Sequence, residues 1–384
     1  MWKTREEMGR LGRRARATLL VAGAALALTG CGNFFVPENG GGGGGGTTSS
    51  NRVYVANGTT GTLAGFSIAN SKLTAVNGSP LSLGFTPVSV VVSRNNNFVY
   101  VAGLGSIYRY TINSDGSLST PSTGATVAAV SVAAMDISPD GQWLFGLDTI
   151  SNVVDEFQID SSTGALSVIA SPSYTPASGT VIRRTVNVSP SGDLVVIALG
   201  TAGDVVFTLN TTTGSLVNSQ TLAPVSTTTS DNALAIDSTS SYLYIARSGT
   251  GGGVAVYKIG AGGALSPISG SPFAAGNQPF SITLDTTGKF VYVANRQDGT
   301  ISGYSIGTNA VLTALTGSPY ASGSGVASLV NDQSKTYLLA GATGGTPDLS
   351  MYSFDTTNAG KLNLVTSTAT DTSASGVVEI AATH

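Results

Sequence analysis

The chain has 384 residues, 18 basic and 21 acidic, giving a net charge of −3, with 41% apolar side chains, 50 glycines, one cysteine and one histidine. Such a balance offers no basic patch to grip a phosphate backbone, so nucleic acid is not expected as a partner. A single cysteine excludes an intrachain disulfide, and a single histidine, His384, leaves Ser-His-Asp and Cys-His devices without an internal base and His-containing zinc sites without ligands.

The first 50 residues read as a targeting segment and a tether. Six basic residues between Lys3 and Arg16 precede an apolar stretch from Ala17 to Leu28, which is too short to span a membrane. The stretch ends in Leu28-Thr-Gly-Cys31, and this ending resembles the lipobox of bacterial lipoproteins, in which the cysteine is lipidated. A signal peptide is therefore expected over 1–30, with Cys31 as the lipidation site. Cleavage there would leave 12 basic and 19 acidic residues. Residues 31–50 hold seven consecutive glycines, Gly40 to Gly46, and read as a flexible coil with a reach of about 25 Å. The expected location is the cell envelope, with the chain held to a bacterial membrane, outer or surface-facing, through Cys31.

From residue 51 onward the sequence repeats. An aromatic residue followed two positions later by a bulky apolar one recurs at Phe66, Tyr110, Phe157, Phe207, Tyr257, Tyr304 and Tyr352, with spacings of 44 to 50 residues. Upstream of each lies a short apolar run such as Phe98-Val-Tyr-Val-Ala102 or Tyr242-Leu-Tyr-Ile-Ala246, which reads as a strand buried on both faces. Before these runs comes a first strand ending at Ser, Asp or Asn, as in Met135-Asp-Ile-Ser138 and Ile282-Thr-Leu-Asp285, where side chains can cap the reversal. A fourth strand begins at Leu73, Leu118, Leu166, Leu216, Leu265, Leu312 and Leu362, preceded by glycine at 116, 164, 214, 263 and 360.

Seven units of four strands predict an all-β fold, a seven-bladed β-propeller with four-stranded antiparallel blades over 51–384. The first unit lacks an inner strand, and the tail Gly376-Val-Val-Glu-Ile-Ala381 is such a strand with nothing after it. Pairing the two termini would complete one blade and close the ring. Gly-Ser-Pro recurs at 78, 270 and 317, where proline is expected to block edge pairing.

The runs Val53-Tyr-Val-Ala-Asn57 and Phe290-Val-Tyr-Val-Ala-Asn-Arg296, with Ser138-Pro-Asp-Gly141 and Ser189-Pro-Ser-Gly192, resemble two related propeller groups. One is the lactonase-like family that includes 6-phosphogluconolactonase and carboxymuconate cyclase. The other is the set of surface proteins with YVTN repeats. The first resemblance implies His, Glu and Arg side chains at the mouth of a central channel. The family's Asn-Arg-Gly-His turn reads Asn295-Arg296-Gln297-Asp298 here, so the arginine is kept and the histidine is not.

If the family geometry holds, Arg183, Arg184, Asp231, Arg247, Asn277, Arg296 and Asp298 gather on one rim. Arginines there suit a small anionic ligand through bidentate hydrogen bonds; the alternative is solvated structure paired with neighbouring carboxylates. Asp136 and Glu379 are the candidate catalytic carboxylates. Both are placed in one mid-strand column with Val91, Asn187, Ala235, Thr283 and Leu329, where burial raises a carboxyl's pKa. His384, as the last residue, is expected to fray. No metal or cofactor is expected, since no calcium loop or phosphate-cradling Gly-Lys-Ser/Thr occurs.

The missing histidine favours a lipid-anchored binding or surface-scaffold module with protein or glycan partners. The alternative is a lactonase-like hydrolase of a small anionic lactone at the channel mouth.

Overall fold

The computed structural model describes residues 51–103, 105–119, 126–372 and 375–384; Cys31 and the segments 1–30 and 31–50 lie outside them. Each repeat folds into consecutive antiparallel strands, as in Pro279–Leu284, Phe290–Asn295, Thr300–Ile306 and Leu312–Ala314. Seven such blades follow one another, and the fourth and fifth also share one bridge between Gly200 and Asp231. The second strands Arg52–Asn57, Phe98–Gly103 and Leu194–Gly200 are buried at every residue, which is why they read as unbroken apolar runs rather than alternating ones.

Burial joins neighbouring blades. Val53, Val55 and Phe66 of the first blade pack with Leu339, Leu349 and Met351 of the seventh, and Phe98 and Tyr100 of the second with Leu144 and Phe157 of the third. At about 1.5–3 kcal/mol for each fully buried large apolar side chain, these seams are the main favourable contribution to the ring. The glycine before the fourth strand serves the same seam. Gly214 has φ 76°, and a Cβ there would meet the ring of Trp143 in the preceding blade at 2.5 Å. Beside it, Tyr54, Tyr100 and Tyr292 donate their hydroxyls to the carbonyls of Gly116, Gly164 and Gly360, each one blade on.

The ring closes as the sequence predicts. Val377–Ala382 is the inner strand of the first blade and pairs antiparallel with Arg52–Asn57. A clamp common to all blades seals the junction. In the third blade the Trp143 N–H donates to the Ser138 hydroxyl five residues earlier (3.0 Å), and in the sixth the Phe290 N–H donates to Asp285 (2.8 Å). In the first blade the clamp is made by residues from opposite ends, Arg52 N–H donating to Thr383 Oγ1 at 3.0 Å. The clamp of the seventh blade is Asp332, one residue beyond Asn331.

The Gly-Ser-Pro motif does more than block an edge. Its serines Ser79, Ser271 and Ser318 accept the N–H groups of Gly65, Val256 and Gly303 in the third strands at 2.8–2.9 Å, and each Ser–Pro peptide is cis.

Inner strands have a sheet partner on one side only, so alternate N–H groups would be orphaned at the axis. Side chains of the preceding blade accept them. Val90 N–H donates to Glu379 (2.7 Å), Met135 N–H to Ser89 (3.1 Å), Leu329 N–H to Ser281 (3.1 Å) and Ile380 N–H to Ser328 (3.0 Å). Replacing Ser328 by alanine is therefore expected to cost about 1–3 kcal/mol, the penalty of a buried unsatisfied donor. Urea unfolding should show a lower midpoint at unchanged slope for Ser328→Ala. The exposed Thr313→Ala should stay within about 0.5 kcal/mol.

Candidate functional site

Each inner strand enters the axis through a β-bulge, and the bulged residues form the lip of the channel. Ladder pairing skips Ala133, Asn232, Phe280, Ala327 and Val378, and skips Ile182 to Arg184 in the fourth blade. Val88 holds the same position in the second blade, its N–H donating to the Ala102 carbonyl beside Ser89. A bulge re-aims the extra side chain. Val88, Ala133, Arg184, Asn232, Phe280, Ala327 and Val378 accordingly all line one cavity of about 750 Å³ that runs along the inner strands.

Two cations dominate this lip. The Arg184 guanidinium lies over the Phe280 ring at 5.4 Å from its centre, and that of Arg296 over the same ring at 4.4 Å. Neither pairs with a carboxylate among the described residues, and Arg184 Nε is buried with no hydrogen-bond partner. Burial, reinforced by the charge of Arg296, pushes the Arg184 pKa below its usual value. Both groups line the cavity, half-buried and free to bind an anion.

The remaining rim candidates are engaged by protein partners, and of them Arg183 alone also lines the cavity. Arg183 donates to the carbonyls of Ile150 and Ser151 and to Asn152 Oδ1 at 3.1–3.3 Å, in the loop of the preceding blade. Asp231 and Arg247 do not stand on the rim. They form a bidentate ion pair, Nε to Oδ1 at 2.6 Å and Nη2 to Oδ2 at 2.9 Å, buried between the fourth and fifth blades. Asp204 lies beside them, and burial followed by the charge of Asp231 raises its carboxyl well above the usual range. Asp298 accepts from the backbone and side chain of Asn277 at 2.6 and 2.8 Å, bonds that lower its pKa; the pair braces an exposed loop and lines no part of the cavity.

Asp136 and Glu379 both line the channel, at different heights. Asp136 stands opposite Phe145, in one column with Val91, Asn187, Ala235, Thr283 and Val330. Glu379 stands opposite Ala56, in the column of Ser89, Ala134, Thr185, Ala233, Ser281 and Ser328, two residues nearer the lip. The shared column expected from sequence, with Leu329 in it, is thus corrected. Its error lies in the clamps, which are Thr383 and Asp332 rather than the residues closing the apolar runs.

Asp136 accepts from the N–H groups of Ile137 and Val188 at 2.7 and 2.8 Å. Burial raises its pKa against the opposing charge of Arg94. Glu379 accepts from Val90 N–H and the Ser89 hydroxyl through Oε2, both at 2.7 Å, and Oε1 takes no hydrogen bond from the described residues. Burial, with a smaller contribution from the charge of Asp136, pushes the Glu379 carboxyl up to about 7. A carboxyl there can gain and lose a proton near neutrality.

His384 does not fray. Its backbone N–H donates to Asn96 Oδ1 (2.9 Å), and its ring lies at the opposite mouth of the channel between Arg94 Nη1 (3.1 Å) and the Val92 carbonyl (3.2 Å). Arginine only donates and a carbonyl only accepts, so the neutral ring carries its proton on Nε2. Desolvation and then the Arg94 charge push it down to about 4. Both ring nitrogens are occupied, and the imidazole acts as a clamp rather than a base. Among the described residues no three His, Cys, Asp or Glu side chains converge as a metal site.

Sequence reasoning missed Phe280 and the bulge lip.

Known proteins locate this architecture. The chain is similar to a candidate 6-phosphogluconolactonase of Bacteroides fragilis, 17% identical with a TM-score of 0.69, over 89% of this chain and 100% of that one. It is also similar to the periplasmic gluconolactonase of Pseudomonas aeruginosa, 14% identical with a TM-score of 0.67, over 88% and 99% of the two chains. A protein from Lactobacillus plantarum, 17% identical, matches with a TM-score of 0.67 over 87% and 100%. Identities this low establish likeness of fold. No curated protein matches the chain. The family model for seven-bladed β-propeller lactonases matches residues 120–230 and 205–345, more than half of the sequence, and the chain belongs to that family.

Proposed function

We propose that this protein hydrolyses a small anionic lactone at the bulge-lined mouth of its channel. The observation that carries the reading is the pair of unpaired guanidinium groups on Phe280, which shares a cavity with Glu379. Arg184 and Arg296 hold the substrate's anionic group by charge-assisted hydrogen bonds. Glu379 extends from the first blade, across the ring from the fourth blade that carries Arg184. In its ionised form the free Oε1 takes a proton from water as that water attacks the lactone carbonyl. The ring C–O bond then breaks, the proton passes to the departing oxygen, and the product is an open hydroxy acid. Family membership supports lactone chemistry, and the carboxylate base replaces the histidine that this sequence lacks at Asp298.

A second reading, a binding module for protein or glycan partners, is favoured by the structural employment of Glu379 and Asp136, whose oxygens accept backbone N–H bonds. In either case we propose that the protein works outside the cytoplasm, held by lipid on Cys31; the support is the basic and apolar leader and the Leu28-Thr-Gly-Cys31 ending.

Purified protein assayed against phosphorylated aldonolactones, aldarate monolactones and muconolactone, each of which keeps an anionic group after ring closure, should show turnover. Arg184→Ala and Arg296→Ala should each lower kcat/KM by about 10- to 100-fold, the worth of one charge-assisted bond. Glu379→Gln should lower it by 100-fold or more. No turnover on folded protein, or turnover indifferent to these changes, would leave the binding reading in place.

The pH dependence supplies a separate readout. The kcat/KM of the wild type should rise with pH through about 7 as Glu379 ionises. Stability should move the other way. The folded carboxyl holds its proton up to about 7, whereas an unfolded one releases it near 4.3. Folding therefore binds a proton between these values, and stability falls as pH rises through that window. Glu379→Gln keeps an oxygen acceptor for Val90 and Ser89. Its denaturation midpoint should gain on the wild type between pH 5 and 7 and hold a constant lead above.

A further inference from the structure

The lip is not uniform. In the contiguous fourth, fifth and sixth blades the bulge carries Arg184, Asn232 and Phe280, whereas in the contiguous seventh, first, second and third it carries Ala327, Val378, Val88 and Ala133. Four of seven positions thus make an unbroken apolar arc that faces the two arginines across one cavity. Val88 keeps 43% of its surface exposed there, although it is a β-branched apolar residue inside a concave site. Glu379 follows directly after Val378, so its carboxylate emerges from within the arc.

Hydroxyl groups of a sugar acid lying against this arc would leave their water and find few partners, and unreplaced hydrogen bonds of that kind are costly. Of the serines one step deeper, Ser89 both accepts Met135 N–H and donates to Glu379, while Ser281 and Ser328 each already accept an inner-strand N–H and keep only part of their capacity for a ligand. A hydrocarbon body would instead cover Val88 and Val378 while its anionic end reaches Arg184 and Arg296.

We infer that the ligand is an amphipathic carboxylate, an anion on an alkyl or aryl body, rather than a polyhydroxylated sugar acid. The inference rests on the anion site of the proposed function and does not require that the bound molecule be hydrolysed.

Hexanoate and gluconate test it directly, because both are six-carbon monocarboxylates and differ in five hydroxyl groups. Calorimetric titration of the purified protein should show hexanoate binding at least about tenfold tighter than gluconate, the effect of burying two methylene groups. Val88→Thr and Val378→Thr keep shape and add a hydroxyl, and each should shrink that preference several-fold. Arg184→Ala should weaken both ligands together. Gluconate binding as tightly as hexanoate, a preference indifferent to both threonine variants, or no binding of either by folded protein would overturn the inference. Hexanoate binding with no turnover of any lactone would overturn the hydrolase reading and leave this one standing, while turnover combined with a preference for gluconate would do the reverse.

Discussion

Everything at the axis depends on how seven inner strands, each with a sheet partner on one side only, satisfy the backbone donors on the other. A ring cannot solve this by adding another strand, because the axis has no room for one. The solution is a side chain from the preceding blade, placed one residue before the N–H it receives in the next: Glu379 to Val90, Ser89 to Met135, Ser281 to Leu329 and Ser328 to Ile380. Alanine occupies that position at 134 and 233, and in this sector Asp136 takes over, accepting Val188 N–H two residues deeper. Polar residues near the axis are therefore committed to the fold before any ligand arrives. What can serve a ligand is what this lacing leaves over, namely the bulged lip and the second oxygen of Glu379.

The period, the strand order and the closure by the two termini were legible in the sequence because the ring writes each of them several times. The aromatic column at Phe66, Tyr110, Phe157, Phe207, Tyr304 and Tyr352 is buried to the last few per cent, as a seam between blades requires. Tyr257 departs from the pattern and is half-buried, its hydroxyl 3.4 Å from Arg247. The height of Glu379 was less legible, since it depends on which residue clamps the turn. Thr383 does so through Arg52, which lies 331 positions away in the chain. Two residues of miscounting then moved a carboxylate from the lip to the depth of Asp136.

Direction was harder to read than position. Arg183 and Arg184 are neighbours in the chain, yet one reaches outward to the loop at Ser151 and the other faces Phe280. Asp231 and Asn232 divide in the same way, Asp231 turning between sheets to meet Arg247 and Asn232 turning to the channel. Adjacent residues of a strand point to opposite faces, and a bulge decides which of the two takes the axis. Without the bulge, a sequence column gathers Arg183, Arg184 and Asp231 on one rim and passes over Asn232. Placing the ion pair there also underrates its setting: a buried guanidinium with two carboxylates beside it must keep its partners, since a lone charge left in that space costs several kcal/mol.

Glu379 belongs to the inner strand Val377–Ala382, the one held in place by pairing between distant termini. Its two donors come from the second blade, while the strand that carries it is laced to Ser328 of the seventh. The carboxylate is thus fixed by the same contacts that close the ring, and its raised pKa reflects enclosure that exists only while the ring is shut. Opening the junction would return Glu379 to water and to an ordinary carboxyl pKa, so a proton acceptor near neutrality is present only in the closed molecule. Desolvation, with a smaller contribution from the charge of Asp136, thus brings the Glu379 carboxyl to about 7, the range an imidazole ordinarily occupies.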